Sequence, residues 1–131
     1  MQGIYFLTLD DALKIHLSQI DLYGGSDGLR DLGLLESAIY RPQTTFGGNE
    51  LYPTMFLKAA CLMHSLVLNH SFVDGNKRTG TVAALIFLEV NGLTVMVGQE
   101  ELVEVAMKVG LKQWGIEEIA EWMEKSVEEV N

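Results

Sequence analysis

Cysteine is nearly absent: Cys61 is the only one in 131 residues. No internal disulfide can form, and the apolar setting Ala59-Ala60-Cys61-Leu62-Met63 reads as a buried structural thiol in a reducing compartment. Cationic residues are scarce as well, nine Lys plus Arg against eighteen Asp plus Glu, giving a net charge of −9 and a pI of about 4.6. Extended contact with a nucleic-acid backbone needs a basic surface that this composition hardly supplies, which argues against nucleic acid as a partner. Long hydrophobic runs are missing too. The longest uncharged apolar stretch, Val82 to Leu88, is too short to span a bilayer, and Met1-Gln2-Gly3-Ile4-Tyr5-Phe6 lacks the basic region and apolar core of a secretory signal. A cytoplasmic protein with no membrane partner is expected. Repeats, low-complexity segments, zinc-type spacings and a Gly-x-x-x-x-Gly-Lys-Ser/Thr phosphate loop are all lacking, and the last of these excludes a P-loop enzyme.

What remains is a globular composition, 48% hydrophobic and 21% charged, in a length that fits a single domain over residues 1–131. Helical periodicity dominates. Thr8-Leu9-Asp10-Asp11 resembles a capping box and opens a helix over about 9–22, ended by Tyr23-Gly24-Gly25. Asp31 caps a shorter helix stopped by Arg41-Pro42, because the residue before proline avoids the helical region. Gln43 to Tyr52, with Gly47-Gly48-Asn49, reads as an irregular connection or hairpin. Pro53 suits the first turn of a third helix reaching Asn69, with Phe56, Ala60, Met63 and Val67 along one face. A fourth helix runs from Asn76 to about Val90 and ends at Asn91-Gly92; apolar all round at Val82 to Leu88, it is expected at the centre. Leu93-Thr94-Val95-Met96-Val97 is the one convincing short strand, and helices over about 99–110 and 116–129 close the chain. Residues 100–131 hold nine acids against three bases, the pattern of a solvated helical face. The fold class is all-α: a compact bundle of about six helices with a short flap or hairpin.

One segment looks chosen for chemistry. His70-Ser71-Phe72-Val73-Asp74-Gly75-Asn76-Lys77-Arg78 groups a base, a carboxylate and two cations at a turn between two helices, and Lys77-Arg78 is the only adjacent basic pair. Cations in a first helical turn oppose the macrodipole by up to about 1 kcal/mol each. Something negative should compensate, and the free amides of a helix start make phosphate the first ligand to consider.

The segment resembles the Fic/Doc signature, which in the Fic branch reads His-x-Phe-x-Asp/Glu-Gly-Asn-Gly-Arg. Six of the seven comparable positions agree, and the exception is Lys77. Asn-Lys-Arg occurs in Doc-type (death-on-curing) toxins, and Gly28-Leu29-Arg30-Asp31, Gly33-Leu34-Leu35-Glu36-Ser37-Ala38 and Arg41-Pro42-Gln43 also look like the Doc branch. The resemblance thus spans about residues 1–95. It implies a helical Fic/Doc fold and a toxin that blocks translation by moving the γ-phosphoryl of ATP to a Ser or Thr of a host protein, with elongation factor Tu as the target. It also implies a cognate antitoxin whose disordered segment occupies the toxin's groove.

Residue by residue, His70 is then the base that accepts the hydroxyl proton, and Asp74 a hard oxygen ligand suited to Mg²⁺. Backbone amides of Gly75, Asn76 and Lys77 can cradle an anion, and the Asn76 side chain can add a donor. Arg78 offers a rigid fork and Lys77 a mobile point charge. Phe72 anchors the loop structurally. His64 and His16 read as hydrogen-bonded core histidines. The stretch from Tyr40 to Phe46 with Gly47-Gly48 can edge the site as a flap that aligns a target peptide by strand addition. Two alternatives stay open. A Fic-type adenylyltransferase is supported by Asp74-Gly75 and opposed by Lys77 and by Thr81, which stands where a second arginine would. A nucleotide- or peptide-binding module without turnover is the other.

Overall fold

Local capping signals set the helix boundaries. The computed structural model describes residues 3–127, and its helices are α1 (Leu9–Tyr23), α2 (Leu32–Tyr40), α3 (Met55–Leu68), α4 (Asn76–Val90), α5 (Gln99–Gly110) and α6 (Ile116–Ser126). At α1 the hydroxyl of Thr8 accepts from the Asp11 amide at 3.1 Å while the Asp11 carboxylate accepts from the Thr8 amide at 2.9 Å, a capping box with Asp in place of Glu. Asp31 caps α2 through the Leu34 amide at 2.9 Å, and a short 3-10 turn, Arg41–Gln43, follows at Pro42. Helix α3 starts later than expected. Thr54 caps it through the Leu57 amide at 3.1 Å, so Pro53 lies before the cap, because a side-chain acceptor outcompetes proline's fixed φ in choosing the start. At the end of α4, Leu93 N–H donates to the Leu88 carbonyl and Gly92 N–H to that of Glu89, closing a Schellman motif around Asn91-Gly92.

The core is built on the α3/α4 pair. Nine of the fourteen residues of α3 are buried against seven of fifteen in α4, so α3, wrapped by α2, α4, α5 and α6, is the more central helix despite the more apolar middle of α4. Gly80 lets the two approach: a Cβ there would sit 2.8 Å from Val67 Cγ2 and 3.0 Å from the Val67 amide nitrogen. Helix α1 and α5 then pack on α4, and Ile119 and Met123 of α6 complete the core beside α3.

The connection between α2 and α3 forms a minimal hairpin. β1 (Thr45–Phe46) pairs antiparallel with β2 (Asn49–Glu50) across Gly47 and Gly48, whose φ of +58° and +83° are the left-handed values a two-residue turn requires. Its strands are exposed, and its base is fastened from below. Lys58 of α3, 1% exposed, donates to the Tyr52 carbonyl and pairs with Glu50 at 2.9 Å; Arg41 bonds the Tyr52 hydroxyl at 3.2 Å and Ser65 Oγ at 2.9 Å.

Two expectations fail at the C-terminal side. Residues 93–97 form no strand: inward Leu93, Val95 and Val97 alternate with outward Thr94 and Met96, but pairing is confined to one bridge between Val95 and Val127. The period of two is real, yet a strand needs a neighbouring ladder and only the end of α6 lies alongside. Helix α6 stops at Ser126 with Val127 extended, and the remainder of the expected helix, residues 128–129, lies outside the described residues. No helix among the described residues is long and apolar enough to cross a membrane.

Candidate active site

Between α3 and α4 the chain makes a tight loop that is held from three directions. From inside, Asn76 staples it: its Oδ1 accepts from Phe72 N–H at 3.1 Å and its Nδ2 donates to the Phe72 carbonyl at 3.0 Å. From below, Phe72, 2% exposed, lies on the imidazole of His16 with ring centres 3.7 Å apart and planes 4° from parallel. His16 is itself buried and its Nε2 donates to the Asp74 carbonyl at 2.8 Å, a bond that requires the proton on Nε2 because a carbonyl only accepts. From the side, residues 28–31 run antiparallel to residues 71–73: Arg30 and Asp31 amides donate to the Ser71 carbonyl at 2.7 and 3.0 Å, and Val73 N–H to the Gly28 carbonyl at 2.9 Å.

This clamp carries the candidate side chains. Asp74 is exposed, with one carboxylate oxygen accepting from Gly75 N–H at 2.8 Å and the other from Ser26 N–H at 3.2 Å. The Ser26 and Gly75 amides, then the charges of Arg78 and His16, hold its pKa below the ordinary carboxylate value. Gly25 is required beside it, since a Cβ there would lie 2.6 Å from Asp74 Oδ2. Arg78 reaches back to the end of α1, donating to the carbonyls of Gly24 at 2.9 Å and Gln19 at 3.5 Å, with its guanidinium 5.7 Å from the centre of the Tyr23 ring. Lys77 is exposed and lays its stem across α5, where a Cβ on Gly110 would be 2.8 Å from Lys77 Cε. His70 is exposed at the end of α3, and the Asn76 and Lys77 amides have no acceptor among the described residues.

These groups converge on one groove of about 680 Å³. His70, Asp74, Lys77 and Arg78 line it together with Leu102, Val103 and Met107 of α5. The hairpin and its flanks, 40–52, contribute nothing to its lining. The structure thus brings the motif residues together but redistributes two roles. The Asn76 side chain is tied to the Phe72 backbone, which leaves one Nδ2–H uncommitted, and the Gly75 amide is engaged by Asp74. His64 lies apart from the groove with Nδ1 buried and without a partner among the described residues, unlike the hydrogen-bonded histidine expected; burial, then the nearby Arg41, lowers its pKa.

A family model described as the Fic/DOC family matches residues 6–88, more than half of the chain. The chain belongs to the Fic/DOC family. Among curated proteins, it is 51% identical over 71 residues to a protein named Toxin Doc from Mycolicibacterium smegmatis, a match covering 54% of this chain and 55% of that one. It is 28% identical over 119 residues to one named Protein kinase doc from Escherichia phage P1, covering 91% of this chain and 93% of the other. Within this family frame the groove side chains are the legible part of the site. From sequence alone Arg30, Ser26 and the α5 wall have no part in the site, and His16 reads as a hydrogen-bonded core histidine, which this buried ring bonded to the Asp74 carbonyl is. His16 and Arg30 act on main-chain carbonyls of the loop and Ser26 acts through its own amide on the Asp74 carboxylate, and main-chain groups leave no residue pattern.

Proposed function

We propose that this protein is a Doc-like toxin that transfers the γ-phosphoryl of ATP to a Ser or Thr hydroxyl of a host protein, elongation factor Tu, in the cytoplasm. A cognate antitoxin would restrain it by folding a disordered segment into the same groove. The observation that carries this reading is the convergence of an exposed histidine, an ionised carboxylate and two cations around free amides at the start of α4. The relative named as a protein kinase, aligned over nearly the whole chain, favours the phosphoryl form of the reaction.

In this reading the target hydroxyl enters beside His70, whose imidazole takes its proton as the oxygen attacks the γ-phosphorus. The bond from that phosphorus to the β–γ bridging oxygen breaks, and ADP leaves. Charge on the phosphoryl oxygens is met by Lys77, by the free donors of Arg78 and by the Asn76 and Lys77 amides. Asp74 fits Mg²⁺: it is exposed and ionised, and each carboxylate oxygen has acceptor capacity beyond its single backbone donor. When bound, the ion neutralises phosphate oxygens. Among the described residues no group of three or more His, Cys, Asp or Glu could hold a metal, which suits an ion held mostly by water and substrate phosphates.

Lys77 supports the orientation of ATP. A glycine there, as in the Fic signature, leaves room for the α- and β-phosphates along the loop, whereas a lysine would take part of that room and adds charge, which favours ATP with its γ-phosphate nearest His70. Intact-mass measurement of elongation factor Tu after incubation with the protein, ATP and Mg²⁺ tests this. A phosphoryl increment that disappears with His70→Ala is expected. An adenylyl increment would replace the reading with the adenylyltransferase one, and no increment would leave a binding module.

A further inference from the structure

The residue proposed as base has an unusual backbone. Among the described residues only His70 and Lys112 are non-glycine residues with positive φ, at 53° and 61°. The left-handed region crowds Cβ against the next carbonyl, and such residues persist when their surroundings over-determine them. At His70 the surroundings include one side chain aimed at that peptide. Arg30 Nε donates to the His70 carbonyl at 2.6 Å, and its Nη2 to the Asn69 carbonyl at 3.3 Å. Both carbonyls lie just past the end of α3, where backbone acceptors run out of intrahelical donors and the helix dipole is negative.

A purely structural reading would have Arg30 fasten residues 28–31 to the loop. That fastening is already made by main chain: the Arg30 and Asp31 amides on the Ser71 carbonyl, and Val73 N–H on that of Gly28. Arg30 is exposed, so its guanidinium fills no core space. Its two bonds fall only on the peptide groups that set φ and ψ of His70, and those angles decide where the imidazole enters the groove.

We propose that Arg30 is a positioning residue: its guanidinium grips the carbonyls of Asn69 and His70 and holds the left-handed backbone that aims the His70 side chain at the target hydroxyl. This rests on the reading of His70 as base. Without the grip His70 relaxes toward negative φ, its Cβ swings, and the imidazole leaves its station while ATP still finds Lys77, Arg78 and the α4 amides. The expected signature is a loss in kcat with little change in KM for ATP.

The test uses the full chain with elongation factor Tu as acceptor. Arg30→Ala should lower kcat tenfold to about a hundredfold, the cost of misplacing a reacting group by roughly 1 Å, with KM for ATP unchanged within about twofold. Arg30→Lys, which keeps the charge and loses the fork, should fall between, and added guanidinium at non-denaturing concentration should restore part of the Arg30→Ala rate but not raise that of wild type. Should Arg30→Ala fail to fold, Arg30→Gln, which keeps a donor in place, carries the same readouts. An unchanged kcat, or a loss shared equally with KM and not restored by guanidinium, would overturn the proposal. A second arm needs no acceptor: the amide-to-Hα coupling of His70 in nuclear magnetic resonance reports its φ. A coupling that changes in Arg30→Ala supports the grip even if wild type transfers nothing, in which case only the reading of His70 as base fails. An identical coupling sinks the grip itself.

Discussion

Replacing His16 by Phe separates the two ways in which this residue supports the loop. The variant keeps an aromatic plate under Phe72, where the rings now lie 3.7 Å apart, and removes the donor to the Asp74 carbonyl at 2.8 Å. Stripping a partly buried carbonyl of its partner costs about 1–3 kcal/mol, and the more apolar ring recovers some of that, leaving a net loss of about 1–2 kcal/mol. For a domain of this size each kcal/mol moves the melting temperature by about 3–5 °C, so a drop of about 3–10 °C is expected. Activity should suffer more than stability. The Asp74 carbonyl and carboxylate belong to one residue, and a loop shift on the order of 1 Å can cost a hundredfold in transfer. His16→Gln is the counterpart: it keeps a donor and loses the stack, worth about 0.5–1.5 kcal/mol beyond area. It should melt early yet retain more activity than His16→Phe. Thermal unfolding by circular dichroism and transfer from radiolabelled ATP measure both. A His16→Phe protein with wild-type melting and wild-type transfer would refute the claim that this hydrogen bond holds the loop. So would a His16→Gln protein that is the less active of the two.

Two further outcomes follow from the same geometry. The folded pKa of Asp74 lies below the usual value of about 3.9, so its charged form adds stability that is complete above about pH 4 and lost as pH falls through the folded value; the melting-temperature gap between wild type and Asp74→Asn should be constant near neutrality and shrink in acid, and a gap that widens in acid would contradict the assignment. Gly80→Ala should destabilise by about 1–2 kcal/mol in denaturant titration, because the new Cβ meets the Val67 backbone, which cannot yield as a side-chain tip can, and this outweighs the roughly 1 kcal/mol helix propensity gained; a more stable variant would show that α3 and α4 can separate.

How far the sequence carries depends on the range of each signal. The capping pairs Thr8/Asp11 and Asp31/Leu34 and the Asn91-Gly92 stop act over three or four residues and place helix ends correctly. Pro53 misleads by two residues because the neighbouring Thr54 carries the stronger start signal. Residues 93–97 show strand alternation, yet a strand is a property of two segments and the second is not visible in a window of five. The motif was legible because its groups are contiguous. Their supports were not: His16 meets Asp74 across 58 positions and Arg30 meets His70 across 40, both through main-chain carbonyls that any residue supplies. The loop-stapling role of Asn76 was hidden for a related reason, since a free donor and a loop staple look the same in sequence.

The placement of charge gives the site its coherence. Only nine cations occur in the chain, and three of them stand around one groove or its base residue, each at the C-terminal end of a different helix. Arg78 bonds the carbonyls of Gln19 and Gly24 at the end of α1, Arg30 those of Asn69 and His70 past the end of α3, and Lys77 crosses Gly110, the last residue of α5. A cation at such an end gains about 0.3–1 kcal/mol, comparable with what Lys77 and Arg78 each lose by standing at the positive start of α4. Part of the compensation that the sequence demands is therefore met within the protein, and Arg78 is held in position by the carbonyls of Gln19 and Gly24. In the proposed reading a phosphate entering the groove meets a guanidinium already in place and amides that still lack acceptors among the described residues. That is the condition under which electrostatic stabilisation needs little reorganisation at the moment of transfer, and it explains how a chain with a net charge of −9 keeps one locally positive groove.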